Sequence, residues 1–113
     1  MATLLSLHVT IYIDPANKTA FFEAFKPVFD LVVAEPELIF FEVYQSPDEP
    51  GKLSWVENWN ASREWLLETQ LSKEYYAPYL AITEPMFIKP REVAIYDTVG
   101  PPYLVFKKTP EQS

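Results

Sequence analysis

The sequence predicts an α+β domain of order β-α-β-β-α-β, the ferredoxin-like split arrangement in which four antiparallel strands carry two helices on one face. Three features of the 113 residues carry that expectation. Apolar residues alternate with period two near both ends of the chain, over Leu5 to Ile13 and again from Glu92. A strongly amphipathic helical stretch follows the first alternating run. Two β-rich segments then flank a short run of Ser, Pro, Asp and Gly, the composition of a hairpin turn.

The first strand spans Leu4 to Ile13. Leu5, Leu7, Val9, Ile11 and Ile13 share one face; Ser6, His8, Thr10 and Tyr12 share the other. Asp14-Pro15 stops it, Asp being a good N-cap and Pro a good first helical residue. From Ala16 to Ala34, Phe21, Phe22, Phe25, Val28, Phe29, Val32 and Val33 gather on one side, with Glu23, Lys26 and Asp30 opposite. Pro27 removes a backbone donor inside this helix and is expected to kink it. Glu35-Pro36-Glu37 ends it.

Leu38 to Gln45 reads as the second strand, Ser46 to Gly51 as the turn, and Leu53 to Trp59 as the third strand. Leu53, Trp55, Glu57 and Trp59 fall on one face of that strand. Asn60 or Ser62 can cap a second helix over Ser62 to Leu71. There Leu67 and Leu71 form one i,i+4 pair, expected against the sheet, and Trp65 and Thr69 form another on a different side. Ser72 to Ile82 reads as a further helical segment interrupted at Pro78, and Glu92 to Val99 as the fourth strand. Residues 1–99 then make the domain. Residues 100–113 form a polar tail with one apolar patch, Tyr103 to Phe106. Strands two and three carry large apolar residues on both sides, so the bare sheet face needs cover. A second copy of the chain is the simplest cover, with the tail patch expected on that partner.

Composition excludes several classes of chemistry. There are no cysteines, so disulfides, thiolate catalysis and Cys-ligated metals are out. A single histidine rules out a multi-histidine metal site within one chain, and no metal is expected. The net charge is −7 and the Lys and Arg residues are scattered, so nucleic acid is not an expected partner. No apolar run approaches 20 residues, and Met1 to His8 lack a basic region and cleavage site; a cytoplasmic protein without membrane attachment is expected. Eight Phe, seven Tyr and three Trp supply more ring area than a small domain can fully bury. Part of it is expected to line a ligand pocket or a subunit interface.

Glu35-Pro36-Glu37-Leu38-Ile39-Phe40-Phe41-Glu42-Val43-Tyr44 resembles the start of strand two in the antibiotic biosynthesis monooxygenase domain family. Pro47 to Leu53 resembles that family's hairpin, Val56-Glu57-Asn58-Trp59 its strand three, and Ala61-Ser62-Arg63-Glu64 the opening of its second helix. The resemblance covers roughly residues 5 to 98. It implies a dimeric α/β barrel, in which two sheets close face to face, with a pocket between sheet and helices in each subunit. It also implies cofactor-free oxygenation of aromatic polyketides, or the chemistry of related haem-degrading oxygenases, isomerases and cyclases. Family membership restricts the fold more tightly than the reaction. Where many members carry histidines in and after helix two, this chain has Thr69 and Glu74, which removes the haem-degrading branch. The family's quinone-forming enzymes use an Asn and a Trp near the start of helix two; Asn58, Asn60, Trp59 and Trp65 are the candidates here.

His8 alone has an unperturbed pKa, about 6.5, suited to a base near neutrality. It is the candidate catalytic residue if its face lines the pocket; otherwise it is a hydrogen-bonded histidine of the barrel or interface. A carboxylate could serve only if burial raised its pKa, and nothing in the sequence identifies a buried one. Glu57, matching the family's glutamate, reads as structural. Phe21, Phe25, Trp65 and Thr69 are expected pocket residues from the helices. Trp59 could hold a planar ligand beside Trp55 and Glu57, although core packing also accounts for it. Tyr75 and Tyr76, with Tyr79, are candidate phenol donors or simple apolar cover. The reading is a small enzyme, without metal or cofactor, acting on a planar apolar phenolic or polyketide-type metabolite by proton abstraction and direct reaction with O2. A non-oxidative cyclase or isomerase, and a non-catalytic dimeric binder, are the alternatives.

Overall fold

The computed structural model describes residues 4–107. Strand β1 (Leu5–Tyr12) is followed by a 3₁₀ turn at Pro15–Asn17 and helix α1 (Lys18–Val33). Strands β2 (Leu38–Gln45) and β3 (Lys52–Trp59) form the hairpin. Helix α2 (Arg63–Trp65) is a single turn that passes into a π-helix at Leu66–Gln70; helix α3 (Tyr76–Thr83) and strand β4 (Glu92–Asp97) complete the domain. The sheet order is β2-β3-β1-β4 and every pair is antiparallel. This is the expected ferredoxin-like order.

Side-chain parity decides which face is buried. Leu5, Leu7, Val9, Ile11 and Ile13 are buried, whereas His8 is exposed and Ser6, Thr10 and Tyr12 are half-buried. On β3, Leu53, Trp55, Glu57 and Trp59 are buried. The register aligns Phe41, Glu57, Leu7 and Ile95 in one row across the sheet, and Val43, Trp55, Val9 and Val93 in the next. Helix α1 lays Phe21, Phe25, Val28 and Val32 on this face. Asp14 accepts a bond from the Ala16 amide at 2.9 Å and starts the turn that leads into α1. Much of the aromatic excess is core: Phe25 packs on Trp55 at 5.0 Å, and Phe29 on Phe41 at 4.7 Å.

Several boundaries and stripes differ from expectation. Helix α1 runs continuously through Pro27, which is exposed. Pro78 lies in the first turn of α3, where its missing N–H has no intrahelical role, so it does not interrupt that helix. Strand β4 ends at Asp97, two residues early. Leu66 and Gln70, not Leu67 and Leu71, turn inward from the second helical segment. Here the Leu71 amide bonds the Leu66 carbonyl five residues back, at 2.9 Å. The inward place that apolar patterning gave to a leucine is held by a glutamine, because its amide finds partners there. The apolar residues Tyr103 to Phe106 are exposed, and residues 108–113 of the tail lie outside the described region.

The hairpin turn is tied to the end of β1. The Ile13 amide donates to the Gly51 carbonyl at 2.9 Å, and a Cβ on Gly51 would stand 1.8 Å from the Ile13 carbonyl oxygen. Only glycine permits this approach. Gly51→Ala should therefore cost about 1–3 kcal/mol, the usual range for an overpacked contact. Denaturant unfolding should show a lowered midpoint with the far-UV spectrum retained; an unchanged midpoint would contradict the close approach.

Candidate active site

The central residue of the inner face is a carboxylate. Glu57 sits mid-strand on β3, with Leu7 beside it on β1 and Phe41 on β2. It is 7% exposed. Among the described residues no backbone amide bonds it, since those of the neighbouring strands are committed to the sheet. Its partners come from its own strand, two residues either way. Trp55 Nε1 donates to Oε2 and Trp59 Nε1 donates to Oε1, both at 3.1 Å. The two indoles favour the charged form, but burial outweighs them and pushes the carboxyl up to about 7. The group is thus divided between acid and base at neutral pH.

Glu57 forms part of the wall of a cavity of about 200 Å³. Leu7, Val9 and Val93 line it from the sheet, along with Trp55. Tyr76, Tyr79 and Leu80 close it from α3, and Leu71 and Arg91 complete the lining. Arg91 is held in place by Glu84, at 3.1 Å, and by the ring of Phe87 beneath its guanidinium. A smaller space of about 40 Å³ also touches Glu57, enclosed by Phe25, Phe29, Val32 and Phe41. The Tyr79 hydroxyl is pushed up to about 12 by burial, and Tyr76 is raised further for the same reason. Both phenols therefore stay protonated at neutral pH and can only act as neutral donors or acceptors.

A hydrogen-bonded chain runs from this cavity toward the surface. Gln70, fully buried, donates through Nε2 to Tyr76 at 2.9 Å and to Tyr75 at 2.6 Å. Tyr75 donates to Glu35 at 2.7 Å, and Lys73 pairs with the same Glu35 oxygen at 2.6 Å. The Lys73 bond, followed by that from Tyr75, holds the Glu35 carboxyl below its ordinary value against the opposing effect of burial. Gln70 Oε1 is buried without a partner among the described residues.

The structure scatters the residues singled out in the sequence. Trp59 and Tyr76 stand at Glu57 or its cavity. Phe25 lines the smaller space, while Phe21 is fully buried in the core and stacks on Phe25 and Trp55. Tyr75 lies one step behind Tyr76 in the chain of bonds. Trp65 packs on the far side of Trp59, ring centres 5.8 Å apart, over a shallow depression formed with Glu37 and Asn60. Thr69 is exposed and lines none of these spaces. Asn58 points to the opposite sheet face from Glu57.

His8 is a correction of position. Strand parity places it on the bare sheet face, where it bonds the Ser6 hydroxyl at 2.8 Å and meets Tyr96 edge-on. The cavity lies on the other side of the sheet. Glu57 was visible in the sequence as a member of the Trp55/Glu57/Trp59 face, but its burial was not. Gln70 and Arg91 were missed. Among the described residues, no group of three or more His, Asp or Glu is arranged to hold a metal, and no helix is long and apolar enough to cross a membrane.

No protein-family profile matches the chain. A provisionally named monooxygenase of Pestalotiopsis microspora is 39% identical over 92 residues, covering 81% of this chain and 77% of that protein. Among solved structures, a provisionally assigned antibiotic biosynthesis monooxygenase from Nitrosomonas europaea has a TM-score of 0.75 at 19% identity, over 89% of this chain and 95% of its own. Another such assignment, from Caulobacter crescentus, reaches 0.77 at 17% identity, over 88% and 92%. At these identities the structures speak for the fold, and the Pestalotiopsis relative ties the sequence to the same kind of protein. The chain belongs to the antibiotic biosynthesis monooxygenase family.

Proposed function

We propose that this protein is a cofactor-independent monooxygenase acting on a planar, apolar, phenolic or polyketide-type metabolite, with Glu57 as its base. The observation that carries the proposal is a carboxylate poised near neutrality in the wall of an otherwise largely apolar cavity. Glu57 takes a proton from an acidic methylene of the substrate. The carbanion is then oxidised by O2, forming a carbon–oxygen bond. The peroxide anion so formed takes the proton back from Glu57, and the hydroperoxide loses its remaining C–H proton and a hydroxide together as water while the carbonyl forms, so one oxygen atom stays on carbon and the other leaves in water. Trp55, Tyr76 and Tyr79 wall the ring system, and the apolar lining limits water that would quench the carbanion. A cyclase or isomerase would use the same base without consuming oxygen.

Oxygen uptake with a panel of anthrones and polyphenols tests this directly. Turnover should rise as pH passes through about 7, following deprotonation of Glu57. Glu57→Gln should lower it about 10²–10⁴-fold, the range for loss of a general base. His8→Gln, on the other sheet face, should leave it unchanged. Proton exchange without oxygen uptake would move the assignment to the cyclase or isomerase class. Full activity in Glu57→Gln would end the case for this base.

The same carboxyl makes a stability prediction. Its pKa is about 7 when folded against 4.5 for an ordinary glutamate. Between those values the folded protein keeps a proton that the unfolded chain has released, so stability falls as pH rises from 4.5 to 7. Glu35 has the opposite sign: its contribution is present above 4.5 and lost as pH falls below it. Thermal midpoints should decline across the upper window in the native protein and stay level in Glu57→Gln. Parallel curves would show that Glu57 titrates normally.

We further propose that the protein is a homodimer that covers the bare sheet face, with the tail residues Tyr103 to Phe106 on the partner. That face carries Phe40, Tyr44, Val56 and Tyr96 among hydroxyl, amide and charged groups. Sedimentation at micromolar concentration should give twice the chain mass of 13.1 kDa. A monomer would overturn the dimer. A dimer unweakened by deletion of residues 101–113 would remove the tail's part in it.

A further inference from the structure

We infer that Gln70, Tyr75 and Glu35 are positioning residues that present Tyr76 to the cavity as a hydrogen-bond donor for a negatively charged substrate oxygen. This deepens the reading of Glu57 as a base, because the charge left on the substrate when its proton departs must be stabilised. Each bond along the chain has a fixed polarity. Glu35 is held ionised by Lys73 and can only accept. At 2.7 Å, Tyr75 must spend its single proton on Glu35. The Tyr75 oxygen is then available only as an acceptor toward Gln70, 2.6 Å away, which requires the amide nitrogen on that side. The same nitrogen faces the Tyr76 oxygen at 2.9 Å, so Tyr76 accepts there as well. The Gln70 bond does not use its own proton, which is open to the neutral Tyr75 oxygen or to an acceptor in the cavity that Tyr76 lines beside Glu57.

This orientation leaves Gln70 Oε1 buried without a partner among the described residues. Turning the amide over would give that oxygen the Tyr76 proton, but would set it against a Tyr75 oxygen with no proton to offer. The orientation persists although it leaves a buried carbonyl oxygen unsatisfied, a costly arrangement for a spacer. A competing acceptor for the Tyr76 proton is Tyr75, which already accepts from Gln70. A substrate oxyanion is a stronger acceptor than a neutral phenol and takes the proton from it. The chain thus fixes the direction of a hydrogen bond from the Glu35–Lys73 ion pair through three further side chains, Tyr75, Gln70 and Tyr76.

Gln70→Glu tests the polarity because it keeps the shape and reverses the bond. An ionised carboxylate at this place accepts from Tyr76 and withdraws its proton from the cavity. Two readouts are taken at a pH where the new carboxyl is ionised. In the ligand-free protein, the ¹³Cζ resonance of Tyr76 should move downfield, toward the phenolate position. With anthrone under anaerobic conditions in D2O, exchange of its acidic methylene protons should fall about 10²-fold, as for loss of an oxyanion donor, with anthrone affinity unchanged. Tyr75→Phe, outside the cavity, should lower exchange in the same direction by freeing the amide to turn. An unmoved resonance, or exchange that Gln70→Glu leaves at the native rate, overturns the inference and makes Gln70 a spacer. If the native protein exchanges no anthrone protons but the resonance moves, the polarity of the chain stands and the reading of Glu57 as the base fails.

Discussion

A carboxyl group on the inner face of a sheet has lost its water and cannot borrow the backbone, because the backbone is paired. Glu57 meets that constraint with two indole N–H groups, which the pleat places on its own side at two residues' distance. The cost of burial is not fully offset by these bonds, and the remainder appears as a raised pKa. The surrounding architecture follows from having such a group there. The cavity stays open along one side of it, phenols rather than charges face it from α3, and the guanidinium in the cavity lining is already engaged by Glu84 and Phe87. A cation in direct contact with Glu57 would pull its pKa down and leave an inert ion pair.

Much of the fold was legible because burial writes itself as periodicity. The alternation of Leu5 to Ile13 marked the inner face, and the spacing of Phe21, Phe25, Val28 and Val32 marked the side of α1 that meets it. The reading failed where a polar residue takes an apolar position. Gln70 is invisible to a hydrophobicity pattern, since what seats it inward is the pair of phenols at Tyr75 and Tyr76, and these are brought together by a π turn that no spacing announced. Leu67 and Leu71 offered the stronger stripe and yet both are exposed, Leu71 only edging the cavity.

The candidate site shows the same limit in its chemistry. His8 drew attention as the one imidazole in the sequence, and the alternation of β1 separated its face from that of Leu7 without saying which one the cavity adjoins. Glu57 needed an adjustment that only three-dimensional packing supplies, from Leu7 and Phe41 on the flanking strands and from the helices above. A glutamate between two tryptophans reads in sequence as an amphipathic strand. In the folded chain the same three residues are a desolvated acid and its two donors.

The buried carboxyl and both of its indole partners lie within five consecutive residues of one strand, whereas much of the rest of the cavity wall comes from the segment between Leu71 and Arg91. The buried acid and the shape of the space around it are therefore encoded in separate stretches of chain. Insertions or replacements in the later stretch can reshape the chamber while the strand that carries the acid stays untouched. In a scaffold divided in this way the form of the chamber can drift without disturbing the acid in its wall.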